Sequence, residues 1–325
     1  MKRFFFIICV HVLFCTVADA QINMQDSTVQ VMAYWNIGDK YDYSYHHKVY
    51  TVENGDTVVA REYTSPFSIE VVDSTANSYT LELRSQGSQY EVMDETTKMM
   101  SEIENPAGRN MLFRIKTNEY GTYQGIENMA QCMDTLNVVL EQMEETYRKK
   151  IRETMTEQQA DEALGKMKQI LQSMRSEQLL LAAVKPYLRL FSFHGYYYPI
   201  DMETSSNMKA ETFYSPGAPI DYTSTVWTDG VDPETSYAYF GWENVYDSDQ
   251  LIQAYLKYIG KTLLDGKELS DSPERPYVFV KDNTWIAVHT DTGITTRVSY
   301  VKESGQGKKQ NIEEEEIEML FDEDE

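Results

Sequence analysis

His46 and His47 form the most suggestive pair of side chains in this chain, because adjacent imidazoles invite a metal ion. On a strand, however, neighbours point to opposite faces, so the two rings cannot chelate one ion. His194 and His289 complete the set beyond residue 20, and no HExxH, CxxC or calcium-loop ladder accompanies them. Nucleophilic catalysis has no better foothold. Gly87-Ser88 and Ser304-Gly305 lack the flanking glycine and helix of a nucleophile elbow. Cys132 lies beside Met129, Met133 and Leu136 at helical spacing, which predicts a buried, inert thiol. A glycosidase pair such as Glu211 with Asp229 can be drawn at will among 52 acids, and so has no specificity. These observations predict a protein without catalytic residues, metal or cofactor.

What remains is aromatic. The chain holds 24 tyrosines and 4 tryptophans, mostly in segments of strand character. Tyrosine joins an apolar ring to a polar tip, which suits sugar stacking, the mouth of an apolar pocket or the open face of a sheet. Tyr196-Tyr197-Tyr198 puts a ring on each face of a strand, and with Trp227 and Tyr239 these are the candidate ligand-binding residues. The competing explanation is strand propensity, which fills sheets with tyrosine whether or not a ligand exists.

Charge narrows the partners. Lys2-Arg3, the apolar run Phe4 to Val17 and Ala18-Asp19-Ala20 before Gln21 read as a secretory signal, so 1–20 is expected to be removed and the protein exported, with the periplasm favoured over the surface. Phe14 stands before Cys15 where a lipid-attachment signal wants a small residue. Beyond residue 20, 27 basic residues face 51 acidic ones, a surface that repels nucleic acid and anionic headgroups. Only Cys132 remains there, so no internal disulfide can form and stability must come from a packed core. A transmembrane segment is not expected after signal removal.

The elements follow from periodicity. Tyr41, Tyr43, Tyr45, His47 and Val49 alternate with polar residues, Asn54-Gly55 marks a hairpin, and further alternating sets run to Lys116, predicting an antiparallel meander. From Ile126 the spacing changes to three and four. It predicts a helical insert over about 126–185: a long helix to Ile151, a second opened by the Thr156/Gln159 capping box, and a third capped by Ser176 that stops or bends at Pro186. A second β block is expected from Leu188 to Val301. It includes Phe213-Tyr214 and is interrupted by a helix opened by Asp247 and Gln250 and followed by Gly266; Tyr277–Val280 and Trp285–His289 are read as separate strands with a turn at Asp282-Asn283. Ser304 to Gln310 reads as a linker, and 306–325, with nine acids in its last thirteen residues, as a disordered acidic tail. The expectation is one α+β domain over 21–305, a curved antiparallel half-barrel sheet from two β blocks covered by the insert and a later helix.

This order of strands, helices and strands resembles the half-barrel of periplasmic lipoprotein carriers, although the helical insert here is longer than that layout uses. Trp35-Asn36-Ile37-Gly38-Asp39-Lys40, leading into alternating tyrosines, is similar to the opening strand of uncharacterised secreted proteins of Gram-negative bacteria. The first resemblance implies an apolar or amphipathic ligand, a lipid or apolar small molecule, held between sheet and helices. The runner-up reading is an envelope protein that engages polysaccharide or protein through a tyrosine-rich sheet face, and an uncharacterised hydrolase comes third. The oligomeric state is left open.

Overall fold

The computed structural model describes residues 21–93, 98, 111–210, 218–263, 278–306 and 308–321. The signal segment 1–20, Glu211, Phe213-Tyr214, Gly266 and Tyr277 lie outside that set.

Alternation in the first β block becomes β3 (Lys40–Glu53), β4 (Asp56–Thr75), β5 (Ser78–Ser85), β6 (Gln89–Met93), β7 (Leu112–Asn118) and β8 (Tyr123–Ile126). Asn54 and Gly55 take φ of 54° and 92°, the left-handed pair that lets β3 turn directly into β4. Before them, β1 (Ile22–Asn23) and β2 (Thr28–Gln30) join β9 (Tyr197–Pro199) in a small sheet. The helical insert follows as α1 (Met129–Thr154), α2 (Glu157–Met174) and α3 (Glu177–Leu188). Thr156 and Gln159 make the capping box, and Ser176 Oγ accepts from the Leu179 amide at 3.2 Å. The second block comprises β10 (Glu203–Ala210), β11 (Ile220–Asp232), β12 (Tyr237–Tyr246), α4 (Ser248–Leu263), β13 (Val278–His289), β14 (Ile294–Gln306) and β15 (Lys309–Met319).

Both blocks enter one antiparallel sheet in the order β10-β11-β12-β13-β14-β15-β3-β4-β5-β7-β8, with β6 paired to β4. The fold is thus α+β, built on a large open sheet that does not close into a barrel. The inner face carries the core. Tyr187 of α3 packs on Phe67 at 4.6 Å and on Tyr45 at 5.4 Å, Phe193 stacks on Phe240 at 4.7 Å, and Leu140, Val184 and Ile286 are buried beside them. Phe67 is wholly buried, so Phe67→Ala is expected to cost about 3–5 kcal/mol in a denaturant titration, through lost apolar burial plus the void left behind.

Five expectations need correction. Residues 309–319 are not a disordered tail but β15, which lies between β14 and β3 and joins the two blocks. The expected linker before it is the end of β14 and the start of β15. Composition misleads here because each of the glutamates 313–316 and 318 meets a partner brought from elsewhere in the chain. Tyr50 donates to Glu314 at 2.7 Å, and Arg297 pairs with Glu316 and, at 3.3 Å, with Glu318 on the outer face. On the inner face His47 meets Glu313 and Arg189 meets Glu315, while Ile317 is buried. Asp282-Asn283 is no turn either. Strand β13 runs straight through, since Asp282 faces inward and accepts from Asn244 Nδ2 at 2.9 Å. Leu188, Leu190 and Phe191 are helical rather than extended, because α3 continues two residues past Pro186 and then tightens into a 3-10 turn, Arg189–Phe191. Ile126 ends a strand, and α1 starts only at Met129.

One turn ties the small sheet's connector to the large sheet. Gly293 has φ of 68°, and a Cβ there would sit 1.9 Å from the Met32 carbonyl oxygen. The backbones touch. Gly293→Ala is expected to cost about 3 kcal/mol or more, read as a lowered unfolding midpoint with unchanged denaturant slope.

Candidate functional site

An enclosed ligand requires space between sheet and helices. Among the described residues, the void between the sheet, the 3-10 turn and the connectors beside it holds about 20 Å³, lined by Trp35, Tyr43, Ile69, Leu190, His194 and Gly293. A ligand pocket usually has roughly 300–1,000 Å³, whereas this void takes a single water. Aromatic packing closes it: Trp35 meets Phe191 at 6.1 Å and His194 at 5.5 Å, and Tyr43 stacks on Phe67 at 5.1 Å.

His194 is wholly buried, with Nε2 2.7 Å from the Gly293 carbonyl oxygen, and burial pulls its pKa down to about 4. Its folded value lies below the unfolded one near 6.5, so the unfolded chain takes up the proton first. Stability is complete above pH 6.5 and falls by about 3 kcal/mol as pH drops toward 4. Comparing midpoints at those two pH values in His194→Gln and the unchanged protein measures it: the variant is expected to lose most of that slope.

The outer face differs. Cross-strand register sets Trp227 opposite Gly241 and Gly241 opposite Trp285, so all three share that face, with Tyr239 and Tyr237 two and four residues along β12 from Gly241. Tyr237 and Tyr239 lie 6.2 Å apart and Tyr239 and Trp285 5.6 Å apart, each pair within 16° of parallel. His289 meets Tyr237 edge-on at 5.4 Å. The Trp227 ring covers Gly241, where a Cβ would meet it at 2.1 Å, so only glycine lets that indole lie on the sheet. Trp285 Nε1 donates to Asp229 Oδ2 at 3.2 Å, which fixes the ring. These four rings are half-buried, in a strip that runs from β11 to β13.

The structure therefore brings two of the five candidate residues, Trp227 and Tyr239, into one strip and adds Tyr237 and Trp285, which sequence reasoning missed. The remaining three sit at the small sheet. Tyr198 turns into the core against Phe193 at 5.2 Å and Phe240 at 5.0 Å, and burial raises its hydroxyl pKa. Tyr196 and Tyr197 are exposed. Cys132 is buried as expected, its Sγ 3.3 Å from the Leu112 carbonyl oxygen, and burial raises its pKa.

Where β15 crosses the inner face, a polar seam replaces the apolar core. Glu315 pairs in register with both Tyr300 and His47, and Glu313 with Lys302. Arg189 reaches down from the 3-10 turn to pair with Glu315, its guanidinium 3.6 Å above the Tyr300 ring. The hydrogen bond with His47 holds the Glu313 carboxyl below its ordinary range, whereas burial pushes that of Glu315 up.

No protein-family model matches this chain, and no curated protein does. Among solved structures it is similar to a lipovitellin, described by its lipid–protein interactions, with a TM-score of 0.36 and 10% identity over 89% of this chain and 26% of that one. The chain thus spans about a quarter of that protein's length, and the likeness is too slight to bear on fold or ligand. Among the described residues no helix is long and apolar enough to cross a membrane.

Proposed function

We propose that this is an exported, non-enzymatic binding protein that engages a polysaccharide through the outer face of its sheet. The observation that carries the reading is the strip of near-parallel rings Tyr237, Tyr239 and Trp285, with Trp227 laid over Gly241. Pyranose rings present apolar C–H faces and a polar rim, and such a strip offers flat apolar surface bordered by acceptors, here Asp229 and the Thr225 and Glu243 positions. Rigid aromatic anchors already held by the sheet lose little entropy on binding. The formal charge of −23 selects against anionic polymers, so the ligand class is a neutral or amino-substituted glycan. Export is supported by the N-terminal Lys2-Arg3, apolar and Ala18-Asp19-Ala20 pattern.

Binding of the purified protein to a glycan array tests this. Retention on neutral or amino-sugar polymers is the expected outcome. Retention only on anionic polymers, or on none, removes the proposal, and a lipid found by solvent extraction in stoichiometric amount returns the ligand to the interior.

A further inference from the structure

We infer that this protein pairs with a second copy of itself through the open edge of β10, in antiparallel register about Ser206. Among the described residues β10 ends the large sheet and is bonded to β11 alone, so alternate backbone N–H and C=O groups along its other side face solvent. Residues 203–209 are all exposed, which leaves that edge accessible. Natural edges are blunted by shortness, a bulge, a proline or a lysine. This one is eight residues long, holds no proline, and keeps unbroken register with β11 from Glu203 opposite Trp227 to Ala210 opposite Ile220. Its lysine, Lys209, has an answering charge in the same strand, Glu203.

The strand's own sequence selects the occupant. With a two-fold axis at Ser206, that residue faces itself, Asn207 faces the partner's Ser205, Met208 the partner's Thr204 and Lys209 the partner's Glu203. Both ends of the pairing thus join opposite charges, whereas parallel in-register pairing would set like charges side by side. Two copies of a chain carrying −23 repel over most of their surface, and β10, with one acid and one base, is an edge where they can meet. Side chains of this strand already bond across the sheet: Ser205 and Thr225 hydroxyls lie 2.9 Å apart, and Thr223 Oγ1 donates to Asn207 Oδ1 at 3.4 Å. The Ser205 and Asn207 pairs of the dimer extend that ladder. Lys209 pairs with Asp221 at 3.1 Å on its own sheet, which holds the ammonium on the face where the partner's Glu203 arrives. Such a contact is isologous, so growth stops at two copies. Because Glu203 shares the face of Trp227, the outer faces of both copies become one surface, although the association does not depend on what that surface binds.

Sedimentation velocity of the full protein across the micromolar range tests this, and a monomer giving way to a dimer is expected. Glu203→Lys turns both end pairs into like charges and should weaken association roughly tenfold, while Glu203→Lys combined with Lys209→Glu should restore it. Mild oxidation gives an independent reading. Ser206→Cys meets itself at the axis and should yield a disulfide-linked dimer, whereas Thr204→Cys, opposite the partner's Met208, should not. Cys132 is buried and stays out of the reaction. The substituted positions are exposed, so the fold should be retained, which circular dichroism checks. A monomer throughout, a dimer indifferent to Glu203→Lys, or equal cross-linking from positions 204 and 206 overturns the inference.

Discussion

A chain ending at Gln306 is expected not to fold, whereas one ending at Phe321 should fold as the full protein does. Strand β15 pairs with β14 over ten residue pairs and with β3 over eleven, so its removal strips hydrogen-bond partners from two strands at once. It also takes away Ile317 from the core and leaves Arg189, Arg297 and His47 without their carboxylates. Loss of one buried partner alone costs about 3–5 kcal/mol, against a total stability of about 5–15 kcal/mol for a domain. Soluble yield, far-ultraviolet circular dichroism and a cooperative melt check the pair of chains. A cooperative native melt from the chain ending at Gln306 would mean that β15 does not join the blocks.

The second large effect concerns binding. Tyr239→Ala combined with Trp285→Ala is expected to weaken glycan affinity roughly hundredfold, about 2–3 kcal/mol, as anchors at the centre of a binding surface do. Both rings are half-exposed, so the melting midpoint should move only slightly. Tyr196→Ala with Tyr197→Ala, at the small sheet, should leave affinity within about twofold. Isothermal titration with an oligosaccharide from the array distinguishes these pairs. Equal losses in both would place the ligand elsewhere.

Much of the architecture was legible because its signals are local. Period two over Tyr41 to Val49, the Asn54-Gly55 turn and the three-four spacing from Met129 each report one element's own burial. What failed to show was pairing across long separations. The glutamates of β15 look solvated until His47, Tyr50, Arg189 and Arg297, up to 266 positions away, are brought against them. Asp282 resembled a turn residue for the same reason, its partner Asn244 lying 38 positions back. Of the aromatic site, Trp227 and Tyr239 were visible as strand aromatics. Tyr237 and Trp285 were present in the same alternating runs, but only register shows that they share a face with Gly241 between them. The one sequence signal for them is that glycine, set within a strand of bulky neighbours where only a close approach explains it.

The most direct test of a ligand seated outside the sheet is a crystal structure with an oligosaccharide recovered from the array. Sugar rings lying against Tyr239 and Trp285 are the predicted result. Density for the ligand between the sheet and α1–α3, with the outer rings bare, would contradict the account.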